Sequence, residues 1–569
     1  MAISESYLNK RENKNRNYFV SKPSVVLREN KDGSGKINHL LLGDWLRYKG
    51  ETHLHKWTTS KGKKKSLLYV KVVCRGDRGW LKIDDFDDER ALEVNFVDIG
   101  QGDGCHIVTP DDEVLLIDAG EADNMNRFLS WRYNLRDRNV RRSSDFNPDL
   151  QEDDPWEIDC VVMSHPDLDH YGGFQYVFAN PKLSFNKVYH NGIVERPKEK
   201  AVSGVEYPDK WDLGGQFDYN NMTYLYDYVT GSTALKDIVN AHPKSQKVLM
   251  RTYRALLVNS KNVTIKGVGI NMTSLKTKKY LPSFDNTREF SLQILGPIRE
   301  KVRFKRKDML TVRRLGSEGE TKNGHSVIFQ AKYKNLKLFL GGDLNTMSQN
   351  FLMQAYSGSD YSPEEMVKMI KKLKKRKQPL PKKDDQLLKD LEAELSRVES
   401  VGRKIFESDV AKACHHGSQH VTDYFIRAVN SIATVISSGD GESHSHPRPD
   451  ALGAYGRYGR GERPLIFSTE LARSTHEFTP QLKSYLALRG ITLQIEAEKD
   501  KKEKKKLLAT LQKKQDRNVA VYGMITLRAK GGSVIIAQKL EEARSESQKW
   551  DIYELNYDEA VGGFVYDSH

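Results

Sequence analysis

Cysteine is scarce in this chain. Four thiols, Cys74, Cys105, Cys160 and Cys414, are scattered over 569 residues without a CxxC pair, which excludes a disulfide framework and a cysteine zinc site. No window holds the roughly eighteen consecutive apolar residues that a bilayer crossing needs. The opening MAISESYLNKRENKNRNYF lacks the apolar core of a signal peptide. A cytoplasmic protein with reduced thiols and no membrane partner is therefore expected. Repeats at solenoid periods are missing too. Acidic charge is in deficit: 77 Asp and Glu against 91 Lys and Arg leave a formal net charge of +14. That balance favours a polyanionic partner, nucleic acid or an acidic surface.

What is present is an ordinary globular composition, 38% hydrophobic and 30% charged. The length predicts roughly two to four domains, or one domain with large insertions. Residues 1–35 are rich in Asn, Lys and Ser, with one short apolar patch at Val25, Val26 and Leu27, and read as a loosely ordered arm. Over 36–90 the short alternating runs LLLGDWLRYKG, LLYVKVVCRG and GWLKIDDF predict a small antiparallel β-barrel. It resembles bacterial Src-homology-three-like barrels, and docking of a protein partner and plain packing are both open roles. A new domain begins near Leu92, where strand and helix signals alternate, so the class is α/β. Within it, Ser362-Pro363-Glu364-Glu365 forms a capping box with proline in the first turn, and Met366, Ile370 and Leu373 follow at helical spacing. Leu387, Leu391, Leu395 and Val398 mark a second helix. The Lys371–Lys377 run and residues 500–514 read as solvated helix faces.

The densest chemistry is the string Ser164-His165-Pro166-Asp167-Leu168-Asp169-His170-Tyr171-Gly172-Gly173, which follows the apolar strand IDCVVM. Loops at the C-terminal ends of strands are where ligands gather. On an extended loop His165 and Asp167 face one way, and Asp169 and His170 face a neighbouring ion. Mixed nitrogen and oxygen ligation suits zinc, manganese or iron better than calcium.

The string resembles the metal motif of the metallo-β-lactamase superfamily, in the His-x-Asp-x-Asp-His form of its ComEC-like competence-protein branch. Further strings resemble that branch in the same order: Phe96-Val97-Asp98-Ile99-Gly100-Gln101-Gly102-Asp103, Leu116-Ile117-Asp118-Ala119-Gly120, Asn323-Gly324-His325-Ser326-Val327, Phe339-Leu340-Gly341-Gly342-Asp343-Leu344, Cys414-His415-His416-Gly417-Ser418, and Ser437-Ser438-Gly439 with His444-Ser445-His446-Pro447. The resemblance implies a metallo-β-lactamase αββα sandwich over 91–545, with helical insertions at 190–290 and 345–408 and a tail at 546–569. It implies a stand-alone, soluble hydrolase with two divalent ions, zinc or manganese, with magnesium also admissible. One ion would be held by His165, Asp167 and one of His415 and His416; the other by Asp169, His170 and His446, with Asp343 shared. Asp169, His416 and Asp343 are the catalytic candidates. Asp98, Asp103 and Asp118 are candidates for orienting metal-bound imidazoles, with capping of turns and strand ends the competing reading. Asn323 stands where the family has a histidine; Ser326 lies beside it, and His325 is an alternative substitute.

Charge placement bears on the substrate. Arg299, Lys301, Arg303, Lys305, Arg306, Lys307, Arg313 and Arg314 precede Asn323, opposed up to Arg314 only by Glu300 and Asp308. Arg303, Lys305, Arg306, Arg313 and Arg314 are the candidate contacts of a phosphate backbone. Arg132, Arg136, Arg138, Arg141 and Arg142 offer a second track. Tyr219, Tyr224, Tyr226 and Tyr228 offer stacking, against core packing as the simpler reading. The expected reaction is two-metal hydrolysis of a nucleic-acid phosphodiester, DNA before RNA, and the resemblance extends this to a cytoplasmic role in antiviral defence. The alternatives are a hydrolase of small phosphodiesters, or a DNA-binding or scaffold subunit with a residual metal site.

Overall fold

The structure is a computed structural model that describes residues 3–13, 16–135, 154–197, 211–243, 245–259, 263–377, 379–439, 444–470, 523–540 and 543–566, with scattered positions between 490 and 507. Two sheets face each other. The first has ten strands in the order Thr264–Gly267, Leu183–His190, Trp156–Met163, Val114–Ile117, Cys105–Val108, Leu92–Phe96, Ile525–Lys530, Ser533–Lys539, Trp550–Asp558 and Gly563–Tyr566. The second has seven, Lys279–Tyr280, Phe290–Gly296, Ile328–Tyr333, Leu336–Leu340, Val410–Lys412, Ala433–Ile436 and Leu465–Ser468.

Short strands such as VLLI and ATVI are buried along their whole length, as strands covered on both faces must be. The two-residue period divides their side chains between two cores. Leu115 and Ile117 pack between the sheets with Phe329 and Leu338, whereas Val114 and Leu116 face helices Asn124–Arg132 and Val248–Asn259. A third core joins the far side of the second sheet to helices Thr346–Ser357, Lys382–Phe406 and Asp423–Val429. The layers therefore run helix, sheet, sheet, helix around continuous apolar cores.

The helical insertion follows its sequence pattern. Pro363–Lys374 starts at the Ser362–Glu365 capping box and buries Met366, Ile370 and Leu373; in Lys382–Phe406 Leu391 and Val398 are buried, while Leu387 is exposed. The chain ends differ from expectation. The stretch read as an arm supplies strands Asn17–Val20 and Ser24–Leu27, and the stretch read as a tail supplies the last two strands of the ten-stranded sheet, of which Gly563–Tyr566 is the edge. Tyr18, Val20 and Leu27 enter one core and Leu555 and Phe564 another. These runs are too short for their alternation to stand out from polar surroundings.

The expected barrel is an antiparallel sheet in the order Asp77–Lys82, Lys64–Cys74, Trp45–Thr58, Asn17–Val20 and Phe86–Asp87. The Ser24–Leu27/Asn38–Leu41 hairpin lies beside it, tied by an Arg28–Trp80 bridge, and no pairing among the described residues closes a ring. Ile3 and Leu8, with Val25, Leu27 and Leu40 of the hairpin, join the core of this sheet. This module packs on the large sheet through Leu41 and Leu42 against Ile535 and Ala537. Arg528, fully buried, donates to the Leu42 carbonyl (3.1 Å) and pairs with Glu93 (3.4 Å) and Asp44 (3.6 Å). No helix among the described residues is long and apolar enough to cross a membrane.

Candidate functional site

Three strand ends converge on one cleft. Trp156–Met163 delivers Ser164 to His170, Leu336–Leu340 delivers Asp343, and Val410–Lys412 leads into a tight turn at Cys414–Gly417. In that turn His415, His416 and Gly417 all have positive φ (48°, 52° and 74°). Two non-glycine residues in this region cost about 1–3 kcal/mol each. The turn sends His416 into the buried interior and leaves His415 half-buried at the rim. The opposite wall is the Gly-Gln-Gly-Asp turn. A Cβ on Gly102 (φ 105°) would collide with the Asp169 carbonyl, so glycine is required for the Asp103 amide to donate to that carbonyl (3.2 Å).

His170 Nε2, His416 Nε2 and Asp343 Oδ2 form a triangle with edges of 3.2, 3.1 and 3.2 Å, and Asp169 Oδ2 lies 3.3 Å from His416 Nε2. Tetrahedral ligands of a zinc-sized ion lie about 3.3–3.6 Å apart, so this donor set fits a divalent metal. Asp343 Oδ1 is buried without a hydrogen-bond partner among the described residues. Burial would raise the Asp343 carboxyl, but the imidazoles of His170 and His416 hold it well below the carboxylate range.

The far side of each imidazole is fixed. His170 Nδ1 donates to Asp118 Oδ2 (2.8 Å), and Asp118 Oδ1 accepts from the Ser164 amide (2.7 Å). His416 Nδ1 donates to the Ser437 carbonyl (3.1 Å). Both tautomers thus present Nε2 to the cleft. Asp103, His170, Asp343 and His416 have donor atoms within 4.8 Å of one another. Asp103 nevertheless approaches both imidazoles from the Nδ1 side, at 4.0 Å from His170 and 3.3 Å from His416, and is paired with Lys412. Lys412 is buried between Asp103 and Asp343 (3.8 Å) and donates to the Gly342 carbonyl (3.3 Å). Burial would lower its pKa, but the two carboxylates raise it.

His165 and Asp167 have other neighbours. Lys322 is ion-paired with Asp167 and with Glu195 (2.9 Å), which also pairs with Lys247 (2.6 Å). Asn323, with its amide nitrogen turned to the cleft, donates to Asp167 Oδ2 (2.5 Å) and His165 Nε2 (3.2 Å). His165 Nδ1 faces the hydroxyls of Ser164 (3.0 Å) and Ser326 (3.2 Å). Ser326 also accepts from the Asp343 amide (3.0 Å). Burial, with His170 nearby, lowers the His165 pKa well below its usual value.

The structure thus groups His416 with Asp169, His170 and Asp343, and sets the His165–Asp167 pair beside Asn323. His446 lies at the rim, its ring 5.8 Å from His415 and 6.2 Å from His416. His325 turns away to the Arg313 carbonyl (2.6 Å), and Asp98 accepts from the Gly100 amide (3.3 Å) in its own turn. Lys412 and Lys322 belong to the site although they lie outside the motif strings. A lysine inside the apolar strand of VAKAC was the available signal for the first; nothing marked the second.

The basic segment before Asn323 is a hairpin of Ile298–Phe304 and Lys307–Arg313, turning on Lys305 and Arg306 with positive φ (46° and 69°). Arg303, Lys305 and Arg306 are exposed at its tip, whereas Arg313 is held by Glu300 (2.6 and 2.9 Å) and Arg314 reaches Gln216 (2.9 Å). Tyr219 and Tyr226 are exposed; Tyr224 is buried, and the Tyr228 hydroxyl donates to the Val268 carbonyl (3.0 Å). Arg132 pairs with Glu93 (2.8 Å). Arg136, Arg138, Arg141, Arg142 and most of 500–514 lie outside the described residues.

Compared with known families, residues 105–228 match the model of the metallo-beta-lactamase superfamily. The matched span includes the strand before Ser164 and the whole of His165–His170. No curated protein matches the sequence.

Proposed function

We propose, from the metallo-β-lactamase superfamily domain that this chain contains and its candidate metal site, that the protein is a metal-dependent phosphodiesterase acting on nucleic acid, DNA before RNA. The carrying observation is the Asp169, His170, Asp343 and His416 donor set, with two imidazole Nε2 atoms aimed at one carboxylate oxygen. A divalent cation bound there would acidify water and stabilise negative charge on phosphoryl oxygens. The residues of the chain prepare for it. Asp118 and the Ser437 carbonyl hold the imidazole tautomers, and Lys412 offsets the charge of Asp103 and Asp343. His415, held neutral by burial with its pKa lowered to about 4, meets the substrate at the rim.

The exposed Arg303, Lys305 and Arg306 support a polyanionic substrate over a small ester. The test is incubation with linear, circular and single-stranded DNA and with RNA, each with manganese, magnesium or zinc and with a chelator control. Metal-dependent cleavage is expected, and reversal of Arg303, Lys305 and Arg306 to glutamate should flatten the salt dependence of DNA binding. Cleavage of small diesters alone would remove nucleic acid from the reading; no metal-dependent hydrolysis of either would remove the enzyme.

A further inference from the structure

The N-terminal module carries an element that its own core does not need. Strands Trp45–Thr58 and Lys64–Cys74 are 14 and 11 residues long and pair from Arg47–Val73 out to Thr58–Lys64, with a register shift between Tyr48 and Thr52. Their inner halves are anchored by buried Leu46, Tyr48, Val70 and Val72. Beyond Leu54 the ribbon leaves the module: Leu54, Lys56, Thr58 and residues 60–66 are exposed. At about 3.4 Å per residue the projecting part is roughly 15–20 Å long. A lone two-stranded ribbon is marginally stable, and this one buries little in return.

Its chemistry is one-sided. From Thr52 to Gly76 there is no aspartate or glutamate. Lys56, Lys61, Lys63, Lys64 and Lys65 crowd the tip, all exposed, and among the described residues none has an ion-pair partner. Such crowding is repulsive until a polyanion neutralises it. Along one face the strand period aligns His53, His55 and Trp57, with His55 stacked on Trp57 (centroids 5.4 Å, planes 25° apart) and His53 6.5 Å from His55. A two-stranded ribbon has the width of the DNA major groove. A half-exposed aromatic row beside cations is the means by which proteins hold unpaired bases.

We propose that this ribbon is a nucleic-acid-binding arm: the lysine tip holds the phosphate backbone and the His55–Trp57 stack packs against bases. The proposal rests on the nucleic-acid reading above for the identity of the polyanion, but not on hydrolysis. It is tested with the full-length protein in a chelator, where no metal-dependent turnover competes, by fluorescence anisotropy of a labelled duplex with a single-stranded overhang over a salt series. Lys61→Glu/Lys63→Glu/Lys65→Glu should weaken binding by about tenfold or more and reduce the salt slope by about two to three. Trp57→Ala should weaken overhang binding more than blunt-duplex binding. Both variants should keep the wild-type melting temperature and wild-type turnover of a small chromogenic phosphodiester. DNA affinity within about twofold of wild type and an unchanged slope would overturn the proposal. So would loss of binding to phosphatidylserine vesicles with DNA binding intact, which would make the arm a membrane contact. If the wild type binds DNA through the arm yet hydrolyses nothing, the site reading fails and the arm stands.

Discussion

The two halves of the cleft share one short string of residues, His165 to His170, yet are neutralised in different ways. Around His170 and His416 the imidazoles are pinned from behind by Asp118 and the Ser437 carbonyl, so that their Nε2 atoms and Asp343 Oδ2 converge within 3.2 Å of one another. Each half also has a cation of the chain, differently placed: Lys412 is paired with Asp103 and stays 3.8 Å from Asp343, whereas Lys322 sits on Asp167 itself, and the Asn323 amide, its nitrogen turned to the cleft, spans Asp167 and His165. The difference teaches that a ligand-type residue is not yet a ligand. What its carboxylate already contacts decides whether an external cation has a charge left to answer.

Asp343→Ala strikes the point of convergence and carries the largest expected effect. Turnover should fall by about 10²–10³-fold or more, and metal measured by mass spectrometry on the purified protein should be lost. Wild-type turnover with metal retained would end the distinction between the halves. Asp118→Asn leaves every converging atom in place and removes the charge that fixes the His170 tautomer. A loss of about 10–100-fold in metal affinity is expected by chelator competition; an unchanged affinity would make Asp118 a strand-end cap only. Lys322→Met should change turnover least. Without the ammonium, Asp167 loses its cation while Glu195 keeps Lys247 (2.6 Å), and in excess manganese the ratio of ions to chains should rise from one toward two. A wild-type protein that already binds two would make the halves equivalent.

The site's membership was legible because its residues crowd into short strings after apolar strands; its internal pairing was not. Alternation along an extended loop assigns His165 and Asp167 to one side, but Leu168–Tyr171 is a turn of helix, so the two-residue period stops applying at Asp169. His416 rather than His415 faces inward because three consecutive residues adopt positive φ, which only Gly417 hints at in sequence. The same limit governs the fold. The capping box at Ser362 is local and readable, whereas Gly563–Tyr566 and Asn17–Val20 become strands through neighbours far away in the chain.

Arg528 sets an order in time. It closes the join between the N-terminal module and the large sheet by reaching Leu42, 486 positions earlier. At ribosomal speeds of about 5–20 residues per second the module waits roughly 25–100 s for that partner to emerge. During this interval Leu41 and Leu42 lack the cover that Ile535 and Ala537 later provide. A nascent chain of this protein therefore carries an uncovered apolar patch through most of its synthesis.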